Sequence, residues 1–312
     1  MDSAAPNVPA AASAAALAAA LADPPRLRVG IVGTGRVGSA LGAALHRVGH
    51  RAVAASGVSE QSRRRAEEML PGVPLVSPQE VFEVAELVLL TVPDDALPPL
   101  VAGLVTTGAI RPGTILVHTS GRYGYAVLEP AARAGALPLA LHPAMTFTGT
   151  EVDVARLDGC SFGVTAPEPL RPIAEALVLE MGGEPEWIEE AVRPLYHAAL
   201  TYGSNYIVTL VVQAADLLRQ AGVVHPGRML GPLLGASLDN ALRSGDAALT
   251  GPVARGDAGT VAVHLSVLKQ ADEAAAAGYR AMGRLTADRA LASGLLAADK
   301  AESLLGALRE EA

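Results

Sequence analysis

From Leu27 onward, short apolar runs alternate with amphipathic stretches. "LRVGIVG" is a continuous apolar run that predicts a strand, and "RVGSALGAALHRVG" predicts a helix stopped by Gly49. "AVAAS" predicts a second strand, followed by a polar helix through Met69. "SPQE", Ser77 to Glu80, reads as a capping box with Pro at the first helical position. "LVLLTV", "TILVHTS" and "LPLALHP" predict buried strands, each bounded by turn residues. "CSFGVTA", the helix "PLRPIAEALVLEMGG" and "PEWIE" add a strand-helix-strand unit at the edge. Strands that are apolar on both faces and separated by helices predict a parallel sheet covered on both sides.

After about Glu190 the strand pattern stops. Helices are expected over 192–221, 226–247, 258–279 and 282–310, with Gly251-Pro252 breaking the array. The expected class is α/β, a doubly wound parallel sheet followed by an all-helical C-terminal domain. The opening "MDSAAPNVPAAASAAALAAALADPP" is low in complexity, has no basic start, and carries Asp2. It reads as a mobile tail rather than a signal peptide. The expected domains are the tail at 1–26, a nucleotide-binding domain at 27–190 and a helical substrate and dimerisation domain at 191–312.

The first C-terminal helix, "RPLYHAALTYGSNYIVTLVVQAADLL", is apolar over most of its length. His197, Thr201, Ser204 and Asn205 form one stripe on it, at i, i+4, i+7 and i+8. A solvent-facing seam recruits Glu, Lys or Arg, and none occurs between Arg193 and Asp216. The stripe is therefore expected to face a ligand. A core histidine bonded to a backbone carbonyl is the alternative for His197.

"GIVGTGRVGSALG" places Gly33, Gly35 and Gly38 between the first strand and its helix. That strand-turn-helix setting gives the G-x-G-x-x-G spacing its meaning. Gly33 allows the tight turn, Gly35 lets a pyrophosphate approach the backbone, and Gly38 permits close helix-strand packing. Thr34, Arg36 and Val37 complete the loop, and the helix N-terminus meets the anion. No acid stands at the end of the second strand, where NAD-type sites hold the ribose diol. Ser56 and Ser59 could donate to a phosphate instead. Arg63 and Arg64 sit near a helix start, where the macrodipole disfavours cations, and a 2′-phosphate would compensate them. The reading is NADP(H) over NAD; the alternative is a solvated arginine cluster paired with Glu67 and Glu68.

Ligands of open parallel sheets sit beyond the carboxyl ends of the strands. Three such ends are unusual: Thr91-Val92-Pro93, Thr119-Ser120-Gly121 and His142-Pro143. Each has a structural account, with Pro93 as a strand stop, Ser120 as a cap and His142 as a packed ring. Their coincidence on one rim favours a site.

Composition narrows the partners. The net charge of −8 argues against nucleic acid or an anionic membrane. Cys160 is alone and the seven histidines lack ligand spacing, so no metal site is expected. No apolar run reaches membrane length, and a cytoplasmic protein is expected.

The motifs "GIVGTGRVGSALGAAL", "TVPDDAL", "HTSG", "LHPAMTF", "YHAALTYGSNYIV" and "TGPVARGDAGTVAVHL" together resemble a Rossmann-like family with a helical C-terminal domain of formerly unknown function. The resemblance runs from Leu27 to about Lys269. The family is similar to β-hydroxyacid dehydrogenases, pyrroline-carboxylate reductases and ketopantoate reductases. It implies an NADPH-dependent reductase of a small 2-oxoacid, 2-dehydropantoate (ketopantoate) above all, acting in pantothenate synthesis as a homodimer. The wider superfamily carries Lys-x-x-x-Asn on this helix. Asn205 matches the Asn, but Thr201 stands in the lysine's place, and the only lysines are Lys269 and Lys300. His197 is the nearest proton donor on that seam.

A carbonyl being reduced gains negative charge on oxygen, which needs a donor. His197 is expected to supply it, with Asn205 orienting the substrate and Ser120 and His142 contacting it from the opposite wall. Arg255 is a candidate carboxylate clamp; a salt bridge with Asp257 or Asp246 is the other reading. Two other functions stay open: a prephenate-dehydrogenase-like oxidation, since "SG" followed by "HP" also resembles that group, and a sensor that binds NADP without turnover.

Overall fold

The computed structural model describes residues 26–309. The expected tail at 1–26 therefore lies outside the described residues, apart from Arg26. The chain divides into two compact units, one ending at Thr201 and the other beginning at Tyr202.

The first unit is built on strands β1 (Arg28–Val32), β2 (Arg51–Ser56), β3 (Leu87–Leu90), β4 (Ile115–His118), β5 (Leu137–Pro143), β6 (Ser161–Thr165) and β7 (Glu184–Trp187). They form one sheet in the order β2-β1-β3-β4-β5-β6-β7. Helices α1 (Arg36–Arg47), α2 (Glu60–Met69), α3 (Pro78–Val84), α4 (Leu97–Thr106), α5 (Glu129–Arg133), α6 (Glu151–Arg156) and α7 (Arg171–Glu180) connect and cover them. Successive strand residues point to opposite faces, and each face has its own core. Leu87 and Leu89 pack with Ile31 and Leu41 on one side. Val88 and Leu90 pack with Phe82 and Leu97 on the other. This is why the strands read as unbroken apolar runs.

One pairing departs from the all-parallel expectation: β6 runs antiparallel to β5, with His142 opposite Gly163. The segment after Pro143 holds only the two-turn α6 and turns back along the same edge, and the Ala144 N–H already bonds the Ser161 carbonyl.

The capping box at Ser77 forms as read, with the Glu80 carboxylate accepting from the Ser77 N–H at 2.8 Å. Chain order reverses between β1 and β3, which have β2 on one flank and β4 on the other. The four central strands pair in matched register, so Val32, Leu90, His118 and Ala140 lie side by side. The loops beyond them therefore emerge at one level, where open sheets bind ligands.

Helix α8 (Arg193–Gln220) runs out of the first unit into the second. It is followed by α9 (Pro226–Ser244), α10 (Gly251–Arg255), α11 (Ala258–Ala271), α12 (Glu273–Ala292) and α13 (Ala298–Ala307). The helices expected at 258–279 and 282–310 are divided differently. Asp272 takes an extended conformation, and its carboxylate caps the Ala274 N–H at 2.9 Å. One helix ends and another begins there, because an Asp side chain competes with the helix for that N–H. Helices α10 to α13 enclose the second unit's core around Val261, Ala287 and Leu304.

Candidate active site

The first turn of α1 follows Gly33, Thr34 and Gly35 at the tip of β1. Gly33 has φ +101°, which an L side chain rarely adopts. Its N–H and that of Thr34 both bond the Ser56 carbonyl, at 2.9 and 3.1 Å. Thr91 fastens the other side, donating through Oγ1 to the Gly33 carbonyl at 2.5 Å. Gly38 sits where α1 crosses β1, and an added Cβ would overlap the Gly33 carbonyl oxygen and Thr91 Oγ1. A Cβ on Gly35 would meet nothing within 4 Å. The loop is thus rigid beneath and open above, which fits the approach of a dinucleotide pyrophosphate.

Beyond this loop runs a cavity of about 660 Å³, in the size range of small-molecule sites. Gly33, Gly35, Arg36 and Val37 line one end with Ser56 and Ser59. Thr91, Val92, Pro93 and Thr119 line its middle, and Ser120, Gly121, His142 and His197 line the other end.

Three histidines organise that end. His118 is fully buried; its Nε2 bonds the Gly124 carbonyl at 2.8 Å and its Nδ1 accepts the Ser120 N–H at 3.2 Å. Burial first, then the Arg193 charge and His142, push its pKa down to about 3, against the Gly124 bond. It is a neutral strut for the β4 loop. Ser120 Oγ accepts the N–H groups of Arg122 and Tyr123, both at 3.2 Å, which folds that loop back on itself.

His142 is held through Nδ1 by Tyr196 Oη at 2.9 Å, with the rings edge to face. Donation from the phenol, which burial keeps protonated, satisfies both groups and puts the imidazole proton on Nε2. Burial, Arg193 and His197 push the His142 pKa down to about 4, so the ring is neutral at pH 7. The His197 ring centroid lies 6.0 Å away. Gly121 stands between them: a Cβ there would come within 2.7 Å of His197 Cδ2 and 2.9 Å of His142 Nε2.

Helix α8 supplies this wall through its own periodicity. Arg193, Tyr196 and His197 stand at i, i+3 and i+4, on one face. Arg193 is the one buried residue of the helix. Its Nε donates to Thr165 Oγ1 at 2.8 Å, Nη1 to the Ser120 carbonyl at 3.0 Å, and Nη2 to the Gly163 and Ala140 carbonyls at 2.7 and 3.1 Å.

The Rossmann-like domain family matches residues 13–143, and the domain of unknown function DUF2520 matches residues 160–286. The two matches lie in tandem along the chain. Its fold recurs in a Bacteroides fragilis protein provisionally assigned as an NADP oxidoreductase, 23% identical, with a TM-score of 0.71 over 84% of this chain and 98% of that one. An imine reductase from a Pseudomonas species is 19% identical, with a TM-score of 0.62 over 91% and 100%. A Plasmodium falciparum pyrroline carboxylate reductase with NADP bound is 13% identical, with a TM-score of 0.54 over 85% and 98%. None of the curated proteins compared with the chain matches it.

Some residues that the sequence singles out stand outside the cavity. Thr34 is buried and donates through Oγ1 to the Ser62 carbonyl at 3.0 Å, and Gly38 is buried in the helix-strand contact. Arg63 donates to the Gly57 carbonyl at 3.3 Å and lines a second cavity that shares Gly57. Arg64 pairs at 3.3 Å with Glu60, one turn earlier on the exposed face of α2, rather than with Glu67 or Glu68.

In the second unit, Ser204 and Asn205 are exposed. The Asp246 carboxylate is taken by Arg289 at 2.6 Å, and Asp257 caps α11 through the Thr260 N–H at 3.0 Å, with Arg255 among the charges that act on it. Sequence reasoning missed His118, Tyr196 and Arg193. For Tyr196 the signal was present, since it shares the helical face of His197. Among the described residues no His, Cys, Asp and Glu cluster could hold a metal ion, and no helix is long and apolar enough to cross a membrane.

Proposed function

We propose that this chain is an NADPH-dependent reductase of a small 2-oxoacid, with 2-dehydropantoate as substrate and pantoate as product. The carrying observation is the continuity of one cavity from the open glycine loop to the His142–His197 pair. Gly33, Gly35, Arg36 and Val37 would hold the pyrophosphate, and Ser56, Ser59 and Arg63 the adenosine phosphate. The NADP named for two of the structural neighbours supports the choice of dinucleotide. When bound, NADPH supplies a hydride. His142 Nε2–H and the Ser120 hydroxyl orient the substrate, and His197 gives a proton to the carbonyl oxygen as it gains charge. Asn205 is proposed to orient the substrate as well.

The test follows NADPH absorbance loss with ketopantoate, other 2-oxoacids and 1-pyrroline-5-carboxylate. Oxidation with ketopantoate is the expected result. Turnover of the cyclic imine alone moves the substrate class to imines. Tight NADPH binding with no turnover of anything in the panel leaves a sensor.

The active form is proposed to be a homodimer. Helix α8 buries one residue of its length and α9 only Pro226. Tyr202, Tyr206, Val208, Leu210, Leu233 and Leu242 are each more than half exposed, apart from further apolar neighbours less so. Monomers rarely leave apolar surface on that scale bare. Light scattering on the purified protein should give close to twice 31.7 kDa, and a monomer at micromolar concentration would discard the dimer.

A further inference from the structure

Arg193 is the largest side chain among the described residues that is fully buried. Taking a guanidinium out of water is costly unless its charge and donors are answered. The donors are answered, but by neutral oxygens: the Thr165 hydroxyl and the carbonyls of Ser120, Ala140 and Gly163. Tyr196 first and then Glu190 favour its charged form, but Glu190 makes no ion pair with it, and its Oε1 accepts the Ala126 N–H at 3.3 Å. The cation is thus held in place without a contacting counter-ion. It lies directly behind Ser120, Gly121 and His142, which line the inner end of the cavity.

A tether alone does not require a charge here. The same strands could be closed by neutral hydrogen bonds at lower desolvation cost. What the cation adds is a field at the cavity floor. The titratable groups facing His142 are Arg193, Tyr196 and His197 on α8 and His118 on β4. Burial first, and then this cation, disfavour the charged forms of His118 and His142, so His142 faces the cavity as a neutral N–H donor.

We propose that Arg193 is a positioning residue that clamps the Ser120–Gly121 tip to β5 and β6, and whose buried charge makes the inner end of the cavity an acceptor for a small carboxylate. This rests on the reductase reading and names what that site selects: the acid group of the substrate, seated against Ser120 and His142, is the counter-ion that the fold itself does not supply.

The test pairs two readouts on the full chain. The first is the His142 titration by nitrogen-labelled NMR, assigned with His142→Asn; it needs no substrate. The second is calorimetric binding of oxamate, a small carboxylate, to the NADPH-loaded protein. In the wild type His142 should titrate at about 4. In Arg193→Met it should rise by about one pH unit or more, and the oxamate Kd should rise roughly tenfold. Arg193→Lys, which keeps the charge and gives up the planar fork, should hold His142 low and still bind oxamate, with a reduced kcat as the tip loosens.

An unmoved His142 and an unmoved oxamate affinity in Arg193→Met overturn the proposal. If that variant does not fold, the wild type decides: His142 titrating at its ordinary value, or NADPH-loaded protein that ignores oxamate, overturns it. Failure to bind NADPH at all instead removes the reductase reading, and the His142 titration still judges the role of Arg193.

Discussion

His197→Ala lowers turnover of the 2-oxoacid by about two to four powers of ten, the usual share of a general acid, and leaves NADPH affinity near the wild-type value. The reason lies in what the two imidazoles at the inner end of the cavity can do. His142, pushed down to about 4 by burial and by Arg193, carries no proton to give at pH 7; it can only share one through Nε2. Its Nδ1 is occupied by Tyr196. His118 is consumed by the β4 loop. That leaves His197 as the proton source on this wall, half-buried and separated from His142 by the side chain that Gly121 lacks.

No lysine stands on α8 to take over. His142→Asn should therefore act differently, raising KM more than it lowers kcat, because an orienting hydrogen bond is removed rather than a proton. Steady-state kinetics of both variants separate the roles. A His197→Ala enzyme with wild-type kcat would remove that residue from the chemistry.

Much of this architecture was legible because it rests on local periodicity. Runs such as "LVLLTV" are apolar on both faces only if both faces are covered, and helices pack against both. The glycine loop was legible because Gly33, Gly35 and Gly38 each answer a distinct steric demand. The direction of β6 was not, since strand sense depends on how the chain closes around α6 and leaves no trace in hydropathy. The break at Asp272 was hidden inside a run of good helix formers, where one side-chain cap outweighs propensity.

At the site, the rim residues announced themselves by position, but Arg193 did not. An arginine is ordinarily a surface residue. Its burial here depends on five oxygens brought together from β5, β6 and the β4 loop, which no local window contains. Of the polar seam, His197 lines the cavity, Thr201 is half-buried, and Ser204 and Asn205 are exposed.

Two glycines of the loop should fail in opposite ways. Gly38→Ala puts a methyl onto the Gly33 carbonyl oxygen and Thr91 Oγ1, with Ile31 Cγ2 only 3.2 Å away. The carbonyl cannot swing aside, because Gly33 is fixed to Ser56 through its N–H and accepts from Thr91. Helix α1 must lift off β1, at an overpacking cost of about 1–3 kcal/mol, and its N-terminus leaves the place where the anion would bind. Thermal stability and NADPH affinity should fall together.

At Gly35 the backbone, with φ −70°, already suits an alanine, and the new methyl meets no protein atom within 4 Å. Stability should stay within about 0.5 kcal/mol of the wild type. Yet that empty space is where the pyrophosphate is read to approach, so the NADPH Kd should rise at least roughly tenfold, about 1.4 kcal/mol. Calorimetric melting and fluorescence titration of the pair distinguish packing from binding. If Gly35→Ala binds NADPH as tightly as the wild type, the dinucleotide does not sit on this loop, and the hydride donor must be sought elsewhere.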